Sequence, residues 1–137
     1  MNTFEVKLSY AAIADNGKVI KVNNSYIIEA YSYTEAEVAI NKIINDGGIV
    51  SATIKSMKPS NINEILCDKE PSDDTIYYKV KIEIKQDEGK GIKSIILING
   101  TDISDSLKKF KDAMRGTVSD WTVISVVETD IVSVVKM

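Results

Sequence analysis

Hydrophobic and polar residues alternate in two segments that occupy similar places in the two halves of the chain, residues 4–10 and residues 78–84. Alternation with a period of two predicts strands that bury one face. A polar turn containing glycine follows each segment, at residues 15–17 and 87–91. Each segment is therefore predicted to be the first arm of a hairpin, with return arms at residues 19–31 and 92–99.

A helix-start signal follows each predicted hairpin. Ser32 precedes Glu35 by three residues, and Asp102 precedes Asp105 by three, at an offset of 70 along the chain. The oxygen of a short side chain can accept from the free amides of the first helical turn, where acidic residues are also favoured. Glycines are predicted to end both helices. The apolar faces consist of Ala36, Ala39, Ile40, Ile43 and Ile44 in the first helix, and of Ile103, Leu107, Phe110 and Met114 in the second.

The same order of elements occurs twice. Each helix is followed by another predicted strand, at residues 49–57 and 121–128, and by a short apolar element, at residues 62–66 and 131–135. These patterns predict a single α+β domain of tandem β-β-α-β repeats with a mainly antiparallel sheet. Repeat 1 covers residues 1–67, the connector 68–76 and repeat 2 residues 77–137. Because each repeat is small for a self-sufficient core, we expect the pseudo-symmetric repeats to share one core.

Composition excludes several classes of function. The chain has 137 residues with 17 basic and 20 acidic side chains, a net charge of -3, which excludes a uniformly basic nucleic-acid coat. It has no histidine, so the commonest general base and nitrogen metal ligand are missing. Its single cysteine, Cys67, excludes an internal disulfide and a multi-cysteine zinc site. We therefore expect a protein that is not an enzyme and that uses no cofactor and no metal.

Hydropathy also bears on location. The amino terminus lacks an apolar stretch of signal-peptide length, and no apolar run reaches the length of a membrane span. The sequence therefore predicts a cytoplasmic protein without membrane contact.

The outward face of the opening strands is the candidate binding surface. If Tyr78 and its alternate neighbours point into the core, the intervening lysines point outward, and residues 79–115 contain nine basic and six acidic residues. Alternate strand residues lie roughly 6 to 7 Å apart, close to the spacing of phosphates in an extended single strand, and an exposed tyrosine can stack on a base. The predicted nucleic-acid-binding residues are Lys7, Tyr77, Lys79, Lys81, Lys85, Lys90 and Lys93. A solvated face that discourages aggregation is the alternative interpretation of the same lysines.

Five short segments carry a resemblance to a known family: MNTFEVKLSY at residues 1–10, YTEAE at 33–37, YYKVK at 77–81, MRGT at 114–117 and VET at 127–129. They resemble an uncharacterised family, catalogued as a domain of unknown function, of Bacteroides-type gut bacteria and their crAss-like phages. The resemblance implies a bacterial or phage origin, hence the bacterial host cytoplasm if the protein is phage-encoded, and implies no activity. From residue 49 to 115 the element order is also similar in topology to Whirly-type and transcriptional-coactivator-type single-strand DNA binders.

Three functions remain open at this point. The first is non-enzymatic binding of nucleic acid, most simply single-stranded DNA in phage or bacterial replication or transcription. The second is a protein-interaction or assembly module, including a phage inhibitor of a host factor, that binds through a sheet edge or through the paired helices. The third is a sponge for a small ligand. A homodimer is expected in each case, because strands rich in isoleucine and valine leave edges that need cover.

Overall fold

The structure, a computed structural model, describes residues 2–49, 51–67, 74–86, 89–117 and 120–136. Within these ranges lie eight strands and two helices, which form two compact units, residues 1–60 with 130–137 and residues 61–129. The elements in chain order are β1 (Asn2–Ile13), β2 (Val19–Ala30), α1 (Tyr33–Asp46), β3 (Thr53–Pro59), β4 (Glu64–Leu66), β5 (Ile76–Ile84), β6 (Ile92–Gly100), α2 (Ile103–Met114), β7 (Trp121–Glu128) and β8 (Ile131–Val135). The predicted α+β class is confirmed.

The first unit contains a four-stranded sheet in the order β3-β1-β2-β8. β1 and β2 form a long antiparallel hairpin that pairs from Asn2 with Ala30 to Ile13 with Val19. β3 adds antiparallel to β1, whereas β8 adds parallel to β2. Because β3 and β8 pair only with the part of the hairpin near its open end, the turn end extends beyond both neighbours as a two-stranded arm.

The second unit contains a four-stranded sheet in the order β4-β6-β5-β7. β5 pairs antiparallel with both β6 and β7, and β4 pairs parallel with β6. β5 is therefore an inner strand, whose side chains have neighbours on both sides. β7 is one of the two outer strands, and no strand among the described residues pairs with its other side.

The two short elements each join the sheet built from the other half of the chain. β4 belongs to the segment assigned to repeat 1, yet it pairs with β6, whereas β8 follows the second helix and pairs with β2. Both pairings are parallel, so the two sheets are mostly but not wholly antiparallel. Each unit also has its own cluster of buried apolar residues. The pseudo-symmetry of the repeats and a core shared between them stay predictions.

The two helices begin where the sequence predicts. The Ser32 hydroxyl accepts a hydrogen bond from the Glu35 amide at 3.3 Å, and the Asp102 carboxylate accepts one from the Asp105 amide at 2.7 Å. The Asp105 carboxylate in turn accepts from the Thr101 amide at 3.0 Å. These bonds satisfy amides that have no partner inside the helix.

The buried face of α2 differs in part from its prediction. Phe110 is fully buried, and its ring meets the edge of Trp121 at a centroid distance of 5.5 Å. Ile103, predicted to belong to the core stripe, is 46% exposed. It is the first residue of α2, at the end of the helix, so its side chain is not enclosed by the sheet in the way that Phe110 is.

Candidate nucleic-acid interface

Two of the predicted lysines lie on the inner strand of the second sheet. In the register of that sheet, Lys79 is flanked by Leu97 and Val127. Lys81 follows on the same face, and both lysine side chains are half-buried. An inner strand has side chains of β6 on one side and of β7 on the other, so long side chains are partly covered. These lysines are therefore less accessible than the sequence pattern alone indicates.

The prediction that the Tyr77 side chain points outward, where it could stack on a base, is wrong. Its side chain is only 2% exposed. It lies directly across from Asn99, and Thr129 donates to the Tyr77 backbone carbonyl through its amide at 3.0 Å and its hydroxyl at 2.8 Å. Burial, and then the neighbouring Cys67, raises the pKa of Tyr77 above its ordinary value. Alternation identifies the two faces of a strand, but at this end of β5 both Tyr77 and Tyr78 are buried.

The turn end of the β5–β6 hairpin brings three predicted residues together. We call Lys85, Lys90 and Lys93 the hairpin-end lysines; all three are exposed. They line one open hollow with a volume of about 530 Å³. Glu83, Gln86, Gly89 and Gly91 line the same hollow.

Glu83 places a carboxylate among the hairpin-end lysines. It lies directly opposite Lys93 in the β5–β6 register. Its side chain also packs on Gly91, where a Cβ atom would lie 2.7 Å from the Glu83 Oε1 atom and 2.9 Å from the Ile84 carbonyl oxygen. Glycine is therefore needed at residue 91 for the hairpin to close against Glu83. The hollow offers three ammonium groups and this one carboxylate as its described charged groups.

Lys7 is not among the residues that line this hollow. Lys7 belongs to β1 in the first unit, where its exposed side chain stands between Ser25 and Ser56 in the sheet register. Asp87 and Glu88, part of the predicted turn, lie outside the described residues. The structure therefore groups the three hairpin-end lysines. The half-buried lysines of β5 lie farther from the turn, on the first arm of the same hairpin.

Two basic residues, Lys109 in α2 and Arg115 at its end, form ion pairs with acidic residues of the same helix. Lys109 forms an ion pair with Asp105 at 3.5 Å, and Arg115 pairs with Asp112 at 2.9 Å. The Thr101 amide, assisted by Lys109, holds the pKa of Asp105 below its ordinary value. Such exposed pairs one helical turn apart contribute little to stability, because water and salt screen their attraction. They hold charged side chains along the helix.

The sequence argument missed Glu83 and Gly91 as parts of the site. Both could have been found by pairing the two arms of the hairpin about its turn, because this operation sets Glu83 opposite Lys93. The alternation pattern alone identified which β5 residues share a face. It included Lys93 of the return arm, but it did not show that Lys93 lies opposite Glu83.

Two further features, a metal-binding cluster and a membrane-spanning helix, are not found among the described residues. Within them, no group of three or more Cys, Asp or Glu side chains is placed to hold a metal ion. Of the helices in the described ranges, neither is long and apolar enough to cross a membrane. The hollow itself presents ammonium groups, which bind anions.

Comparison with known proteins identifies the family. No curated protein matches the chain, and no solved structure matches it. A family model described as a domain of unknown function, DUF4494, matches residues 2–137. The match spans all but the first residue, in agreement with the expectation of an uncharacterised family. The chain belongs to the DUF4494 family.

Proposed function

We propose that the protein binds single-stranded nucleic acid without catalysis, through the hairpin-end lysines. The observation that supports this proposal best is the grouping of Lys85, Lys90 and Lys93, all exposed, around one hollow of about 530 Å³. Ammonium groups neutralise phosphates and release the ions condensed on them. Lys81 belongs to β5, and Lys85 directly follows the end of that strand at Ile84, so lysines continue along the chain from the hollow into the strand.

The proposed mode of binding is contact with the phosphate backbone. Tyr77 is buried, so the stacking step expected from the sequence is not part of the proposal. Without stacking or base-edge contacts, the protein should bind different single-stranded sequences with similar affinity. Three neutralised phosphates correspond to a slope of about -2 in a plot of log affinity against log salt, or about 20-fold weaker binding at 200 than at 50 mM.

The proposed setting is replication or transcription of a phage or of a Bacteroides-type bacterium, in the bacterial cytoplasm. The support for this setting is the resemblance of the five short segments described above. Whirly-type and coactivator-type single-strand binders have a similar element order, but β3 lies in a different sheet from β5 and β6, so this likeness does not support the proposal. It adds no residue to the site.

Fluorescence anisotropy with labelled single-stranded and duplex oligonucleotides tests the proposal. The Lys85→Glu, Lys90→Glu variant should lose at least tenfold in affinity for single strands at about 50 mM salt, because two of three phosphate contacts become repulsive. The control is Lys108→Glu, Lys111→Glu, which makes the same charge change at exposed positions of α2 and should stay within about twofold of the natural protein.

Three outcomes would contradict this proposal. Absence of binding to any oligonucleotide at low salt would remove nucleic acid as the ligand. Equal losses in the two variants would show attraction by overall charge and would remove the hairpin-end lysines as the site. Tighter binding to duplex than to single strands would contradict the preference for single strands.

A second candidate function is a protein-interaction module that uses the β1–β2 arm. Ile13 and Val19 face each other near the turn of this arm and are 78% and 73% exposed. Apolar side chains on a projecting two-stranded ribbon fit a groove or sheet edge of another protein. This candidate predicts salt-resistant capture of a partner that Ile13→Asp, Val19→Asp abolishes. The control Val38→Asp, at an exposed position on α1, should retain capture.

A further inference from the structure

β7 is an outer strand of the second sheet, and most of its length carries no charged residue. β7 pairs with β5 from Glu128 opposite Tyr78 to Trp121 opposite Ile84. Its other side meets no strand among the described residues. The segment Trp-Thr-Val-Ile-Ser-Val-Val at residues 121–127 contains no charged side chain. An unpaired strand edge presents free amide and carbonyl groups to any other strand.

Apolar side chains on this edge are exposed. Val123, Ile124 and Val127 are 37%, 46% and 55% exposed. A bulge between the pairs Lys81–Ser125 and Ile82–Val123 leaves Ile124 without an opposite residue on β5. The edge therefore combines free backbone groups with exposed aliphatic side chains.

The other outer strands have lysine, proline or a short length, and β7 has none of these three forms of edge protection. β3, the outer strand of the first sheet, contains Lys55 and Lys58 and ends at Pro59, and lysine and proline are common devices against pairing with another chain. β4 has three residues, too few for a stable added strand. β8 has five, of which Val132 is the exposed one.

We propose that β7 pairs antiparallel with β7 of a second copy of this chain, around a twofold axis, and joins two four-stranded sheets into one. Twofold pairing sets the same surface against itself, so each strand residue must tolerate its own counterpart. The uncharged segment 121–127 meets this condition in every register that keeps the flanking Asp120 of one copy away from Glu128 of the other. β3 meets it less well, because the register that sets Lys55 opposite Lys58 brings lysines of the two copies together.

A second copy is favoured over an extended peptide of another protein by this self-complementarity. A heterologous peptide would be selected by side-chain pockets or charges beside the edge, and β7 itself has no charged residue before Glu128. Twofold pairing also closes the edge and stops further addition, which an uncharged strand needs to avoid open-ended assembly. The dimer is independent of nucleic-acid binding, since β7 contributes no hairpin-end lysine.

Sedimentation equilibrium of the full chain tests the dimer, with Ile124→Lys as the variant. A lysine here places two like charges near the twofold axis, so the dissociation constant should rise at least tenfold. The matched control is Val38→Lys, the same change of charge at an apolar residue of α1 that is 62% exposed, and it should change the constant less than about twofold. Circular dichroism establishes that both variants are folded.

Cysteine cross-linking gives a second readout that leaves the edge uncharged. Single cysteines at residues 123–127, each in a Cys67→Ser background, should form disulfide-linked dimers under mild oxidation most readily at the position nearest the axis. Directly opposite strand residues have Cα atoms about 4.5 to 5.5 Å apart, within disulfide range. A monomer at concentrations up to about 100 µM, or a dimer that Ile124→Lys leaves intact and that none of the cysteines cross-links, would overturn the proposal.

Discussion

Replacing Gly100 with alanine should destabilise the second unit, because a methyl group at this position has no room beside α2. An added Cβ atom would lie 2.9 Å from the Ser106 amide nitrogen and 2.8 Å from the Asp105 Oδ2 atom, and would overlap the Ser106 hydroxyl. The amide belongs to the helix backbone and cannot move alone. Overpacking of this kind costs about 1 to 3 kcal/mol, and the backbone contact favours the upper half of that range.

Ser106 offers a compensating change. Its side chain is fully buried, and its hydroxyl has no hydrogen-bond partner within the described structure. Removing an unsatisfied buried hydroxyl by Ser106→Ala should therefore stabilise the protein by about 1 kcal/mol. Ala30 and Ala36 stand 70 residues earlier, and both are fully buried. The first unit thus has an alanine pair where the second has glycine and serine.

The double variant is the decisive measurement. Ser106→Ala removes the hydroxyl that the new methyl group would overlap, but the close contacts with the helix amide and with Asp105 remain. We expect the double variant to recover more stability than Ser106→Ala gains on its own, with a coupling energy of at least about 0.5 kcal/mol. It should remain less stable than Ser106→Ala alone.

Urea unfolding followed by tryptophan fluorescence measures these energies. The single tryptophan, Trp121, lies in the second unit against Phe110, so its emission reports on the unit that carries the substitutions. A loss below about 0.5 kcal/mol for Gly100→Ala would refute the steric argument. Strict additivity in the double variant would show that the serine hydroxyl is not part of the clash.

Three further predictions follow from burial and pKa. Phe110→Ala removes a fully buried ring and should cost about 3 to 5 kcal/mol in urea unfolding followed by far-ultraviolet circular dichroism. The Thr101 amide lowers the pKa of Asp105 below 3.8, so the stabilisation by the carboxylate is present above that pH and is lost as pH falls through the folded pKa; the Asp105→Asn variant should show a weaker loss of unfolding free energy on acidification. Burial raises the pKa of Tyr77 above 10.0, so its stabilisation is present below that pH and is lost as pH rises through the folded value; Tyr77→Phe should reduce this alkaline loss and leave oligonucleotide affinity unchanged.

The sequence predicted the local elements of the fold well. The two hairpins, both helix starts and the strand at residues 121–128 were all visible as alternation, capping residues and turn glycines. These features depend on neighbours within a few residues, where backbone geometry and hydrogen bonding act directly. For the same reason the sequence alone predicts the hydroxyl of Ser32 and the carboxylate of Asp102 as helix caps.

The candidate site was only partly predictable. The sequence identified the hairpin-end lysines, but Tyr77 was placed on an open surface because alternation separates faces without saying which face is covered. The accessibility of Lys79 was overestimated for a related reason. β5 is an inner strand, and this position in the sheet depends on where β7 pairs.

Sequence alone therefore determined the order of the strands and helices and the residues that cap the helices, because these depend on contacts close along the chain. Composition alone determined that the chain has no histidine to act as a general base or a metal ligand. Tertiary structure decided that β4 pairs beside β6 and that β8 pairs beside β2. Parallel pairing joins segments about 30 residues apart for β4 and β6 and over 100 apart for β8 and β2, and no local pattern names the partner. Long-range pairing also decided that β7 is an outer strand of the second sheet, so that one edge of its uncharged segment, residues 121–127, pairs with no strand among the described residues.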